Sequence, residues 1–251
     1  MNKKTQRNIG AIILAAGKGK RMNAKDVNKV AMTLADKPMI LHAVHLLRKV
    51  RIKTLVVVVG FAKNSVIKLL DSTVLYAEQR KRLGTAHAVY CGLNKLPAGI
   101  TDVLVLNGDD SAFYDVETIK KLIRSHLLSN SAFTFLTLEM DYPSGLGRVL
   151  RDERGNVSAI IEEKDATPSQ RTITEINPAC YVFSVDFLKK YLKKVEKSKI
   201  TGEYYLTSLI GIGIKNNEKI DTLKVRSLPW RGVNTKDELV EAEKLFLKLK
   251  D

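Results

Sequence analysis

Cysteine is nearly missing from this sequence: Cys91 and Cys180 are the only two in 251 residues, far apart and without metal-ligand spacing around them. That excludes a disulfide scaffold and a zinc cluster, and it suits a reducing compartment such as the cytoplasm. No uninterrupted apolar run approaches the roughly 20 residues that cross a bilayer, so no membrane partner is expected. The start MNKKTQR is basic and precedes an apolar run, but that run ends in GKGKR instead of a small-residue cleavage site. This argues against a secretory signal. Acidic residues are scarce beside basic ones, 27 against 42, which leaves a formal net charge of +15. Such an excess suits anionic substrates or nucleic acid and speaks to steering, not to fold. The lysines are spread along helical faces without the aromatic interleaving of a stacking platform, which points away from nucleic acid. Internal repeats, low-complexity tracts and hexapeptide periodicity are absent. So are the GxxxxGK[ST] and GxGxxG loops, because Met22 stands where the third glycine would fall.

What is present begins with IGAIILAAGKGKRM at Ile9–Met22. Ile9–Ala15 reads as a buried strand, since a short β-branched run bounded by glycine suits a parallel sheet covered on both faces. Leu14, Ala15, Ala16, Gly17 and Gly19 then offer a backbone that a ligand can approach closely. Gly17 and Gly19 can take positive φ and turn successive N–H groups toward an anion, and Arg21 can grip a phosphate through two parallel bonds. An ordinary strand-to-helix turn with surface lysines fits these residues about as well.

Strands and helices alternate through the first half. Strands are expected at Thr54–Val59, Val74–Ala77, Asp102–Asn107 and Ala132–Leu138, with helices from Pro38 to Val50 and at Lys63–Leu70, Thr85–Leu96 and Val116–Leu128. This βαβ rhythm predicts an α/β, Rossmann-like doubly wound, mostly parallel sheet, with ligands beyond the carboxyl ends of the strands. The second half is more β-rich: a hairpin of Arg148–Arg151 and Val157–Glu162 around Asp152–Asn156, then one strand at Glu175–Phe183. Helices at Val185–Val195, Tyr204–Ile214 and Leu239–Leu249 complete it. A single unit over 1–251 is expected, with a first half to about 130, a second half to about 235 that forms a lid or substrate-facing side, and a closing helix.

Several polar residues fall where strands end. Asp109, after Gly108, is a natural Mg²⁺ ligand beside substrate phosphates, although Gly-Asp is also a common turn. Gln79 carries the paired donor and acceptor that can read a base edge, and Thr85 can cap the helix that Gly84 opens. His87 reads as a packing or surface histidine. Glu162 ends an apolar strand that could aim it into a cleft, and Asn177 and Asn234 are polar side chains in turns.

In this order the segments LAAGKGKRM, EQRKRLGTAHA, LNGDD, GLGRV, EEKDAT, EINPACYVF, GEYYLTS and GVNT resemble the sugar-nucleotide pyrophosphorylases, a nucleotidyltransferase family. Within it they are similar to the uridylyltransferase part of the bacterial enzymes that make UDP-N-acetylglucosamine. The resemblance covers nearly the whole chain and implies a nucleotide-diphospho-sugar transferase fold. It implies Mg²⁺-dependent joining of a sugar 1-phosphate, foremost N-acetylglucosamine 1-phosphate, to a nucleoside triphosphate, foremost UTP, with release of pyrophosphate. Glucose 1-phosphate with UTP or dTTP is the alternative within the family. A non-catalytic sensor of nucleotide sugars would be expected to lack the phosphate and metal groups, which are all present.

Carried over by position, Leu14–Gly17, Gly19, Gln79, Gly84 and Thr85 would hold the nucleotide. Arg21 and Lys29 would grip the triphosphate as catalytic groups, and Asp109 and Asn234 would hold Mg²⁺. Asn107, Gly147, Glu162, Asn177, Tyr205 and Thr207 would face the sugar, Asn177 on its N-acetyl side. The chain departs from the family at Asn28, usually proline, within a one-residue insertion around Asn23–Asn28. Lys20 replaces Ser or Thr, Leu146 replaces Tyr, Ser208 replaces Asp, and Asp110-Ser111 replaces an apolar-Pro pair. These positions ring the sugar and phosphate sites. No acetyl transfer is expected, for want of a hexapeptide array. Oligomeric state is not legible.

Overall fold

The computed structural model describes residues 7–22, 26–226 and 228–249, so part of the basic start and of the insertion near Asn23 lies outside the described residues. Runs of apolar, β-branched residues form the centre: β1 (Ile9–Ala15), then a two-stranded ribbon of β2 (Thr33–Leu34) and β3 (Lys37–Pro38), then β4 (Thr54–Val59), β5 (Leu75–Glu78) and β6 (Asp102–Asn107). β7 (Phe133–Glu139), β8 (Gly147–Arg151), β9 (Val157–Ile161), β10 (Glu175–Asn177), β11 (Cys180–Ser184) and β12 (Ile220–Val225) follow. One ten-stranded sheet runs through both halves in the order β5-β4-β1-β6-β11-β7-β10-β8-β9, and β12 pairs with the other edge of β7. β5, β4, β1 and β6 are mutually parallel, as is β12 with β7; pairings from β11 onward along the main path are antiparallel.

Successive residues of a strand face opposite sides, and here both sides are covered. Ala11 and Ile13 pack with α1 (Met39–Lys49), α4 (Val116–Ser129) and α8 (Lys236–Lys248). Ile12 packs on the other face with α3 (Thr85–Leu93), α6 (Val185–Tyr191) and α7 (Ser208–Lys215). Two short helices, α2 (Lys63–Ile67) and α5 (Pro168–Arg171), complete the set. Phe133 stacks on Phe183 with ring centroids 4.2 Å apart, which fixes β7 against β11.

The opposite end of the sheet carries a buried polar knot. The Asp102 carboxylate accepts from Arg7 Nε at 2.6 Å, His126 Nε2 at 3.1 Å and Thr101 Oγ1 at 2.7 Å. Burial pushes its pKa up, but the bonds from His126, Arg7 and Thr101 outweigh it and hold the carboxyl at about 2. A pKa depressed by folding contributes stability above the unfolded value, and that stability fades as pH falls through the folded one. Asp102→Asn should therefore lower neutral-pH stability by about 2 kcal/mol. It should also shrink the loss on acidification from pH 5 to 2, read by thermal melts; equal acid sensitivity would contradict this.

The strand expected at Glu175–Phe183 is broken in two. Pro178 has no N–H to give a ladder and Ala179 is left-handed, φ 57°, so β10 and β11 separate there. The helix expected from Tyr204 begins only at Ser208, because the preceding strap is bonded to α3 across 121 residues. β12 was not anticipated; its pattern IDTLKV mixes charge with apolar residues on a half-buried strand.

Candidate active site

Beyond the carboxyl end of β1 the chain crosses Ala16–Gly19, where Lys18 is the one long side chain. Gly19 is left-handed at φ +58°, whereas Gly17 is not; a Cβ on Gly17 would meet open space. Gly17, Lys18 and Gly19 give their backbone N–H groups to no other described residue, which leaves three donors for an anion. The loop is held from below by Asn28, which is buried. Its Nδ2 donates to Ala15 O (3.0 Å), Gly17 O (3.2 Å) and Phe61 O (2.7 Å), while Oδ1 accepts from Val30 N at 3.1 Å. Asn28→Ala strands several buried acceptors at once and should cost about 2–4 kcal/mol. Urea unfolding reads it; a loss near zero would deny Asn28 this role.

Two cavities open at this end of the sheet. The larger, about 650 Å³, is lined by Leu14–Gly17, Gly19, Arg21 and Lys29 on one side and by Gln79, Gly84 and Thr85 on the other. The smaller, about 180 Å³, is lined by Gly147, Glu162, Asn177 and Thr207. Leu14, Thr85, Asn107, Asp109 and Asn234 belong to both, so the cavities adjoin there. Of the residues assigned to nucleotide, phosphate, metal or sugar only Tyr205 lines neither, its hydroxyl pairing with Thr201 Oγ1 at 2.7 Å; the departures Ser111 and Ser208 line neither as well.

At the junction the Lys29 ammonium forms an ion pair with Asp109 and donates to Val233 O at 2.7 Å and to Asn234 Oδ1 at 3.2 Å. A carboxylate and an amide oxygen, both hard donors, thus converge on a point that already accommodates a cation. Among the described residues no group of three or more His, Cys, Asp or Glu could hold a metal. Mg²⁺, which takes one or two protein oxygens and fills its shell with phosphate and water, fits this sparse donor set. Asn234 is held by the start of α8, where Thr235 and Glu238 form a capping box and Glu238 Oε2 also accepts from Asn234 N at 2.5 Å.

On the sugar side, Asn177 pairs with Gly147 across β10 and β8, and Glu162 follows β9 so that a Cβ on Gly147 would lie 3.7 Å from its Oε2. Burial pushes the Glu162 carboxyl up, against the pull of Thr207, whose Oγ1 donates to Oε1 at 2.9 Å. Asn177 Oδ1 accepts from Ala179 N at 2.6 Å, while its buried Nδ2 finds no partner among the described residues.

Several participants were not singled out from the sequence. Trp230 and Tyr181 line the smaller cavity beside Asp110, noted from the sequence as a departure, whose carboxyl is held above the ordinary carboxylate range by burial and by the neighbouring Asp109. Thr85 does not cap α3: its Oγ1 accepts instead from Leu206 N at 2.9 Å, which ties the helix start to the strap before α7. His87 packs as its reading from the sequence allows, but its partner, Gln79, with Nε2 3.0 Å from His87 Nδ1, was not named there. A histidine three residues beyond Gly84, on the first turn of the helix, was the available signal.

The sequence model of the family described as Nucleotidyl transferase matches residues 10–248. A protein named "Bifunctional protein GlmU" from Thermoanaerobacter pseudethanolicus is 40% identical over 237 residues, which are 94% of this chain and 51% of that protein. A second protein of that name, from Geobacillus sp. (strain WCH70), gives the same identity and the same shares. The chain spans about half the length of the curated relatives it matches. Among solved structures, a Bacillus anthracis protein assigned as a glucose-1-phosphate thymidylyltransferase, crystallised with sucrose, superposes with a TM-score of 0.81. The superposition covers 95% of each chain at 23% identity and speaks to the fold alone.

Proposed function

The chain belongs to the nucleotidyl transferase family, and we propose that it transfers a nucleoside monophosphate, foremost from UTP, to a sugar 1-phosphate, foremost N-acetylglucosamine 1-phosphate. The observation that carries this reading is the contact between two unequal cavities along Asn107, Asp109 and Asn234. A nucleotide in the larger one and a sugar phosphate in the smaller would meet over the cation point. The unpartnered Nδ2 of Asn177 supports an acyl carbonyl on the sugar, since a buried amide donor without a partner is costly. About 40% identity to proteins named GlmU favours the same pair of substrates.

In this reading a phosphate oxygen of the sugar 1-phosphate attacks the α-phosphorus of the triphosphate in line. The new P–O bond forms as the bond to the β-phosphate oxygen breaks, and pyrophosphate leaves with the electron pair. The monoester, with a second pKa near 6, is already largely ionised at neutral pH, so no general base is needed. The free N–H groups of Gly17–Gly19 and the guanidinium of Arg21 orient the triphosphate and stabilise the charge that builds on it. Asp109 and Asn234 would hold Mg²⁺, which when bound neutralises phosphate oxygens. Lys29, whose ammonium faces Asp109 and Asn234 at the same junction, would grip the phosphates there.

Glu162 accepts from sugar hydroxyls with both oxygens only as a carboxylate, because a proton turns one of them into a donor. Because its pKa is raised, the KM for the sugar phosphate should climb as pH falls through a range where ordinary carboxylates stay ionised. Glu162→Gln should lose that limb and bind the sugar phosphate about tenfold more weakly. It should also melt slightly higher at neutral pH, because ionising a buried carboxyl costs stability above the unfolded pKa. Comparing the two pH profiles separates this limb from ionisation of the substrate; identical profiles would remove Glu162 from the sugar site. The substrate pair itself is tested by pyrophosphate release with UTP, dTTP, CTP or GTP against N-acetylglucosamine 1-phosphate, glucose 1-phosphate and galactose 1-phosphate. Preference for UTP with the N-acetylated sugar is expected. Equal use of glucose 1-phosphate would contradict the role given to Asn177.

A further inference from the structure

Gln79 follows β5, donates its backbone N–H to Val59 O at 2.8 Å and is buried against the larger cleft, which it lines. Its side-chain Nε2 lies 3.0 Å from Gly84 O and 3.0 Å from His87 Nδ1. A carbonyl oxygen can only accept, so the amide atom facing Gly84 must be the nitrogen, and this settles which way the amide is turned. The second hydrogen of Nε2 then points to His87 Nδ1, provided that ring carries its own hydrogen on Nε2. That nitrogen lies 4.0 Å from Cys91 Sγ. Both amide hydrogens are thereby taken, and Oε1 accepts from no described residue. A side chain that could present either a donor or an acceptor presents an acceptor alone.

We propose that His87 is a positioning residue for base recognition: it locks the Gln79 amide so that Oε1 faces the nucleotide cleft. The cleft then favours a base whose pairing edge carries a ring N–H over one with a bare ring nitrogen there. Uracil offers the N–H at N3, and cytosine puts a lone pair against Oε1. The inference rests on the larger cleft being the nucleotide site, and it concerns a residue one step removed from the ligand. Without His87 one amide hydrogen is released, and only Gly84 O still holds the head against rotation.

The test is kcat/KM for UTP and for CTP, with one sugar phosphate, in the unaltered chain, His87→Ala and His87→Asn. Asparagine returns an acceptor, Oδ1, close to where Nδ1 stood. His87→Ala should lower the UTP/CTP ratio about five- to tenfold, the size of one hydrogen bond. The loss should fall mainly on the KM for UTP, and His87→Asn should recover most of it. A merely structural histidine would lower both nucleotides together and leave the ratio unmoved. An unmoved ratio in His87→Ala, a ratio that His87→Asn fails to recover, or equal use of UTP and CTP by the unaltered chain would overturn the proposal. Should the unaltered chain turn over neither nucleotide, the functional reading fails by itself, and calorimetric Kd values for UTP and CTP in the same three proteins decide the role of His87.

Discussion

Replacing Asp109 with asparagine should lower turnover by about a thousandfold, on the scale seen when one preorganised electrostatic contact to a reacting phosphate or oxyanion is removed. The reasoning starts from the strand. β6 is apolar and buried through Leu106, and it delivers Asn107, Gly108 and Asp109 to the point where the two cavities join. Gly108 N donates to Leu14 O at 3.0 Å, which pins this turn to the end of β1. Asparagine keeps the shape but removes the charge that now pairs with Lys29 and would hold the metal. The melting temperature should stay within a few degrees, since Lys29 keeps its bonds to Val233 O and Asn234 Oδ1 when the Asp109 charge is removed. Steady-state kinetics beside a thermal melt separates the two effects, and near-normal turnover would end the assignment of Asp109.

Gly84→Ala should be nearly as damaging, by a different route. Gly84 sits at φ +108°, a conformation that L side chains rarely adopt, and a Cβ there would lie 2.5 Å from Tyr204 O and 2.7 Å from Tyr204 N. These are backbone atoms and cannot swing aside. The combined strain and overpacking should cost about 3 kcal/mol or more. Relief could come only from displacing the Tyr204–Leu206 strap, which is bonded to Leu83, Thr85 and Ala86. That strap leads into Thr207, the partner of Glu162. Both nucleotide and sugar KM values should therefore rise in whatever folded protein remains, about tenfold or more for one displaced hydrogen-bonding group on each side. Wild-type stability together with wild-type KM values would contradict the geometry.

How much of this was legible depended on distance along the chain. β1, β4 and β6 could be read to the residue because all three are apolar on both faces, and Ile12 and Ile13 indeed enter opposite cores. The glycine loop and the Gly-Asp turn were visible because each ends such a strand. The break at Pro178 and Ala179 was visible only in Asn177, whose place before proline suggests a turn, while the apolar run on to Phe183 hid the end of β10. β12 was hidden by Asp221 and Lys224, which a half-buried strand tolerates. Asn28 looked like a mere departure from a family proline. In the fold it keeps an extended backbone, φ −69° and ψ 144°, that proline also takes. Its side chain adds the bonds that tie Ala15, Gly17 and Phe61 together. The Gln79–His87 contact spans eight residues and was within reach of the sequence; the strap onto α3 spans 121 and was not.

The most direct measurement is pyrophosphate release from UTP, N-acetylglucosamine 1-phosphate and Mg²⁺, with each component omitted in turn. Two cavities joined at a cation point predict release only when all three are present, with one nucleotide sugar formed for each pyrophosphate. Pyrophosphate released without the sugar phosphate, or full activity in the presence of excess chelator, would contradict the account.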